Sequence, residues 1–298
     1  MSRGLSSGRF QHLVFPKLER LRTAVNLAPR EQIAPQEDEP PCSWQPDEKE
    51  FVGWLLAQGG VNADHYRSET LQRRLAACLR AVRMPCVRQA KEHLQRYPSA
   101  LPTAINALLV GVTSFFRDPT VFDQLRSELG RDFPSAKRGA RVWSAGCSDG
   151  AELYSVAMLL AEMGAMESSC LVGTDCRRDA VAAAREGIYP DSVVNSIPHD
   201  LRGRYTERHA SCHRMISPLR AQVQWRISNI LSEPEPGAWD VILCRNTALY
   251  LRAEFVIPLW AKLESSLRPG GILVLGRAER PTGGHRLRAV GPCIYRRV

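Results

Sequence analysis

Residues Arg141 to Glu162, RVWSAGCSDGAELYSVAMLLAE, constrain the fold more than any other stretch of this chain. A short apolar run, Val142-Trp143-Ser144-Ala145, breaks at Gly146-Cys147-Ser148-Asp149-Gly150. It resumes with Leu153, Val156, Ala157, Leu159 and Leu160 at helical spacing. The pattern predicts a strand, a tight glycine turn and a helix from about Ala151, the opening unit of a nucleotide-binding α/β sheet. Gly146 and Gly150 let the backbone come close to a ligand, and the free N–H groups of the helix start are expected to point at it.

The spacing narrows the ligand. Dinucleotide enzymes put glycine at the first, third and sixth positions of this turn. Here the third position is Ser148 and the spacing is Gly-x-x-x-Gly, so the glycine that admits a pyrophosphate is missing and a nicotinamide-dependent oxidoreductase is disfavoured. A ligand without phosphate, carrying adenosine on one side and a charged amino acid on the other, suits the turn better. S-adenosylmethionine, with S-adenosylhomocysteine as its product, is the candidate, against a generic strand–helix turn of any α/β domain.

Downstream, strands and helices alternate: Cys170–Thr174 ending in Asp175, then a helix to about Glu186; Val223–Ile227, then Asn229; Trp239–Cys244, then Arg245-Asn246. A helix follows over Phe255–Leu267, Pro269-Gly270-Gly271 is read as a turn, and Ile272–Leu275 is a fifth strand before a terminal hairpin over Leu287–Arg297. Such alternation implies a parallel sheet with right-handed crossovers. The first four strands run into Ser148/Asp149, Asp175, Asn229 and Asn246, and ligands of open α/β sheets bind at those carboxyl ends. Asp175 suits the two ribose hydroxyls of an adenosine ligand. Glu152, in the first turn of the glycine-loop helix, either complements the helix dipole or pairs with the ligand's ammonium group. Tyr189–Gln222 is polar and arginine-rich, breaks the alternation, and is expected to be an inserted subdomain.

Upstream, residues 1–46 contain closely spaced prolines and the acidic run Glu37-Asp38-Glu39 and predict a flexible tail, with a transient helix near Leu13–Leu27. Residues 47–118 predict short amphipathic helices marked by Phe51, Leu55 and Leu56; by Leu71, Leu75, Leu79 and Val82; by Ala90–Tyr97; and by Leu101–Val110, ending near Val112. Arg67, Arg73, Arg74, Arg80 and Arg83 lie on or beside the second. Residues 119–298 form the α/β domain.

Of the 298 residues, 44% are hydrophobic and 24% charged, as in ordinary globular proteins. No apolar run approaches the ~20 residues that cross a bilayer. Only Leu13-Val14-Phe15 stands where a secretion signal would have its apolar core. The expected compartment is therefore the cytoplasm, with no membrane insertion. The nine cysteines show no C-x-x-C pair and no zinc spacing, so they are read as reduced and structural, and no metal is expected. The net charge of +9 suggests a polyanionic partner. No aromatic-interleaved basic stripe offers nucleic-acid bases a stacking surface, so nucleic acid is not the expected partner.

Six motifs in order resemble the CheR-type chemotaxis receptor methyltransferases: VTSFFRD at 112–118, WSAGCSDGAELYS at 143–155, GTD at 173–175 with AREGIY at 184–189, SNIL at 228–231, CRNTALY at 244–250 and LRPGGILVLGRAE at 267–279. The resemblance covers about Asp47 to Val298. It implies a Rossmann-like S-adenosylmethionine-dependent methyltransferase sheet with an N-terminal helical domain and a small inserted β-subdomain. The implied reaction is O-methylation of glutamate side chains on a protein such as a chemoreceptor's cytoplasmic domain. It further implies cofactor contacts from Thr113, Arg117, Glu152, Asp175, Asn229, Ile230, Arg245 and Asn246, besides the Gly146 turn, with Arg117 and Tyr250 beside the methyl group. A monomer is expected. Gly111 stands where the family has an asparagine, Ala151 replaces the first of two acids, and Ala77 and Cys78 interrupt the basic helix. These departures keep a catalytically degenerate cofactor-binding scaffold as the alternative. No glycine lies between Tyr205 and Trp225, so docking on a receptor's C-terminal pentapeptide is not expected.

Overall fold

Central strands of a parallel sheet are covered on both faces and read as unbroken apolar runs. Two such runs form the middle of this molecule. The computed structural model describes residues 44–109, 113–132, 138–232, 235–283 and 286–298; the expected tail helix at Leu13–Leu27 and the Gly111 position lie outside the described residues. In chain order the elements are α1 Pro46–Gln58, α2 Ser68–Ala81, α3 Val87–Arg96, α4 Leu101–Leu108, α5 Pro119–Asp132, β1 Arg141–Ala145, α6 Ala151–Glu162, β2 Cys170–Asp175 and α7 Arg178–Glu186. Then come β3 Ile188–Pro190, α8 Asp191–Val194, α9 His199–Tyr205, β4 Thr206–His209, β5 Cys212–Met215 and α10 Ser217–Gln222. The chain ends with β6 Val223–Ile227, β7 Trp239–Cys244, α11 Ala253–Ser266, β8 Leu267–Leu275, β9 Leu287–Gly291 and β10 Ile294–Arg297.

The large sheet has the order β6-β2-β1-β7-β8-β10-β9. The β6–β2, β2–β1, β1–β7 and β7–β8 pairs are parallel, and β10 and β9 close the far edge antiparallel. β1 is thus flanked by β2 and β7, and the strand order reverses beside it, which is where such sheets bind ligands. Because side chains alternate along a strand, Val142 faces one core with Val241, Ile272, α5 and α6. Trp143 and Ala145 face the other with Ile242, Cys244 and α11. α6 is apolar nearly all round and buried accordingly, from Leu153 through Leu160.

Three features depart from the sequence reading. α5 falls between the expected helices and the expected sheet; Val121, Phe122, Leu125 and Leu129 give it a buried face, and Pro119 suits a first helical position. Pro269-Gly270-Gly271 is not a turn but part of β8. The register slips there, Leu267 opposing Trp239 while Ile272 opposes Val241, and Gly270 takes up a φ of +78°, as a bulge requires. The insertion begins one residue earlier than expected, at Ile188. It contains a three-stranded sheet in the order β3-β5-β4 together with short helices.

Helices α1 to α4 bury a separate cluster around Phe51, Leu55, Leu75 and Leu94. They are tied to the sheet through the loop after β7: the Arg67 N–H donates to the Tyr250 carbonyl at 2.9 Å, Arg67 Nε to the Leu251 carbonyl at 2.9 Å, and the Arg252 N–H to the His65 carbonyl at 2.9 Å. Among the described residues no helix is long and apolar enough to cross a membrane, and all eight cysteines there are free thiols.

Candidate active site

One cavity opens at the carboxyl ends of β2, β1 and β7. Its wall includes Thr113, Arg117, Gly146, Glu152, Asp175, Asn229, Ile230, Arg245, Asn246 and Tyr250, residues from five separate segments. The sequence reading did not single out the remaining lining. Tyr66, Thr70, Leu71, Leu108 and Leu109 come from the helical part, Cys176 and Arg177 follow β2, and Ser228, Leu231, Thr247 and Leu251 also line it, besides Cys147 and Ser148 of the glycine turn.

The glycine turn gives close approach, and several of its amides are bonded within the protein. Gly146 and Gly150 have φ of +77° and +87°, and a Cβ on Gly146 would lie 2.8 Å from Thr247 Oγ1. The amides of Gly146 and Cys147 both donate to the Thr174 carbonyl (2.8 and 2.9 Å), that of Gly150 to the Cys147 carbonyl (3.0 Å), and that of Ala151 to Asp149 Oδ1 (3.2 Å). These donors are satisfied by the Thr174 carbonyl of β2 and by the turn itself, while no such acceptor holds the N–H groups of Glu152 and Leu153 in the first turn of α6 among the described hydrogen bonds. Ser148 takes a φ of +52° and its N–H donates to Asp175 Oδ2 at 2.9 Å.

Asp175 is held from a second side by Arg177. The Arg177 backbone N–H and Nε donate to Oδ1 at 3.0 and 3.1 Å, while its Nη2 reaches Ser148 Oγ at 2.9 Å and its Nη1 reaches Asn106 Oδ1 on α4 at 3.0 Å. The acid expected to meet a ribose is thus oriented by a buried cation that also ties the sheet to the helical part. An arginine two residues after the acid carried no sequence signal, because its partner on α4 is 71 residues away. Burial pushes the Cys176 thiol up to about 12 and raises Cys147 as well, so neither thiol in the wall is nucleophilic near neutral pH. Asp149, partly buried in the turn, is pushed up to about 6 by desolvation, against the pull of the Ala151 N–H.

Glu152 accepts from Ser144 Oγ at 3.1 Å and from Arg245 Nη1 at 3.3 Å. Desolvation raises its carboxyl above the ordinary value, opposed chiefly by the Arg245 charge. The sequence left a dipole role and an ammonium partner open; Arg245 is an internal partner that neither anticipated. The Arg245 side chain is only 2% exposed, and its Nη2 also donates to Asp118 Oδ2 (2.7 Å) and to the Arg117 carbonyl (2.8 Å). Its guanidinium is therefore part of the frame, joining the linker, β7 and α6. Arg117 itself is exposed, and both it and Tyr250 line the cavity that contains the glycine turn.

A parallel sheet reversing its order at β1, a Gly-x-x-x-Gly turn and an acid closing β2 define a Rossmann-like nucleoside-binding protein of the methyltransferase class. A family model described as "CheR methyltransferase, SAM binding domain" matches residues 111–289, more than half of the chain. The chain belongs to that family, and it is an S-adenosylmethionine-dependent methyltransferase acting on a protein. It is 30% identical to chemotaxis protein methyltransferase 2 of Pseudomonas aeruginosa over 79% of this chain and 87% of that one. The chemotaxis protein methyltransferase of Borreliella burgdorferi is 26% identical over 80% and 89%. That of Listeria monocytogenes is 25% identical over 74% and 85%.

Proposed function

We propose that this chain methylates glutamate side chains of a signalling protein, such as the cytoplasmic domain of a chemoreceptor, and that Arg117 and Tyr250 align the incoming carboxylate. The observation that carries the reading is their presence, with Gly146, in the wall of a single cavity. The residues there fit the cofactor: a backbone surface where a Cβ would collide, Asp175 for the ribose, apolar Ile230, Leu231 and Leu109 for the base, and Glu152 for the ammonium group. Residues 47–118 act as a helical cap over it.

The bound cofactor supplies an activated methyl group on a sulfonium, already a good leaving group. A glutamate carboxyl, with an ordinary pKa of about 4.3, is ionised near neutral pH, so no general base is needed. What this chain contributes is alignment and exclusion of water. The Arg117 guanidinium and the Tyr250 hydroxyl hold the carboxylate while leaving one oxygen free to attack; a tighter grip would quench the nucleophile. The N–H of Arg67 holds the backbone of Tyr250 through its carbonyl.

The protein works in the cytoplasm as a monomer. Its substrate is not recruited through a C-terminal peptide on the β4–β5 hairpin, whose turn uses Ala210 at a φ of +51° in place of glycine. Incubation with methyl-tritiated cofactor and candidate receptor domains, followed by mild base, tests the reaction: a carboxyl methyl ester releases tritiated methanol, and base-stable label refutes it. Tyr250→Phe, timed under saturating cofactor, is expected to slow transfer at least about tenfold, within the range that positioning groups contribute. An unchanged rate removes the phenol from the mechanism.

A further inference from the structure

The loop after β7 carries five residues of the cavity wall, Arg245, Asn246, Thr247, Tyr250 and Leu251, yet little in its own sequence fixes its path. Asn246 sits at a φ of +57°, a conformation that costs a non-glycine residue and persists only where the surroundings impose it. One side chain among those surroundings bonds the loop at this point. Glu279 is 3% exposed, and its carboxylate accepts from four backbone amides: Oε1 from Thr247 (2.9 Å) and Ala248 (2.8 Å), Oε2 from Asn246 (2.7 Å) and Gly276 (2.7 Å). Three consecutive N–H groups converging on one point make an anion-binding nest. Here the anion is the protein's own, from the segment following β8.

We propose that Glu279 is a positioning residue for methyl transfer, acting through the loop whose conformation it clamps. The inference rests on the reading of Tyr250 and Asn246 given above. The carboxylate is matched to its task, since an ionised carboxyl is acceptor-only and offers about four lone-pair sites, and four donors use them. A glutamine amide would turn an NH2 toward two of those donors. Gly276 is part of the same arrangement: a Cβ there would lie 2.7 Å from Glu279 Oε2 and 2.8 Å from Asn246 Nδ2.

Glu279→Gln is expected to weaken S-adenosylhomocysteine binding about tenfold by calorimetry and to lower kcat at saturating cofactor by ten- to a hundredfold, the penalty of a roughly 1 Å misplacement. Leu94→Ala, a truncation of a buried α3 residue in the separate helical cluster, is the comparison: it lowers the melting temperature but leaves the S-adenosylhomocysteine Kd and kcat unchanged. Gly276→Ala keeps the charge and displaces the carboxylate, and is expected to move both constants in the same direction by a smaller factor, so it serves if the glutamine variant fails to fold. Wild-type affinity and kcat in a folded Glu279→Gln or Gly276→Ala variant overturn the proposal. Wild-type protein that binds no S-adenosylhomocysteine overturns the reading of the site itself, and this inference with it.

Discussion

Replacing Arg245 with leucine tests the frame of the site most directly. The guanidinium bonds Glu152, Asp118 and the Arg117 carbonyl at 3.3, 2.7 and 2.8 Å and stacks over the Phe122 ring at 5.5 Å, while its Nε has no partner among the described residues. Glu152 is partly shielded, its side chain 14% exposed, and burial already raises its carboxyl. Removing one partner of such a pair leaves an uncompensated charge, which costs about 3–5 kcal/mol. At roughly 2–4 °C per kcal/mol for a chain of this size, the melting temperature falls by on the order of 10 °C at neutral pH. The loss depends on pH with a definite sign. Without Arg245 the Glu152 carboxyl rises further, so the folded variant binds a proton that the unfolded chain has released. Stability is then present below the ordinary carboxyl range and lost as pH rises through the raised value. Scanning calorimetry of both proteins at pH 4.5 and 7.5 should show a small deficit at the lower pH and the full one at the higher. A deficit equal at both, or under about 2 °C at pH 7.5, refutes the reasoning.

Asp149→Asn should have the opposite effect on stability. The wild-type carboxyl, pushed up to about 6, stabilises the fold below its unfolded value and loses that contribution as pH rises through 6. The variant keeps an oxygen for the Ala151 N–H, so it should gain up to about 3 kcal/mol at pH 7.5, from roughly two pKa units, and nothing at pH 4 in urea melts. Gly146→Ala meets both a φ of +77° and Thr247 Oγ1 at 2.8 Å; S-adenosylhomocysteine affinity measured by calorimetry should drop at least about tenfold, a 1.4 kcal/mol loss. Affinity equal to wild type would remove the close-approach role of this glycine.

The alternation of elements was legible because it is written locally. Apolar runs at Val142–Ala145 and Trp239–Cys244 match buried parallel strands, and the 3.6-residue repeat of Leu153 to Leu160 matches α6. α5 was legible as well, in Val121, Phe122, Leu125 and Leu129, but its position between two parts of the chain hid it. Pro269-Gly270-Gly271 misled for a physical reason: turn residues and bulge residues are the same residues, and which one forms depends on whether a neighbouring strand is there to pair with.

Motif order by itself determined the family, the sheet and the segments that approach the ligand. What only the tertiary structure decided is how those segments are held. Arg245 meets Asp118 from 127 residues away and Glu152 from 93, Arg177 meets Asn106 from 71, and Glu279 clamps a loop about 30 residues upstream. Periodicity reports which face of an element is buried. Which charge stands opposite which donor depends on strand order and register, set once β1 lies between β2 and β7, and no local pattern in the chain encodes it.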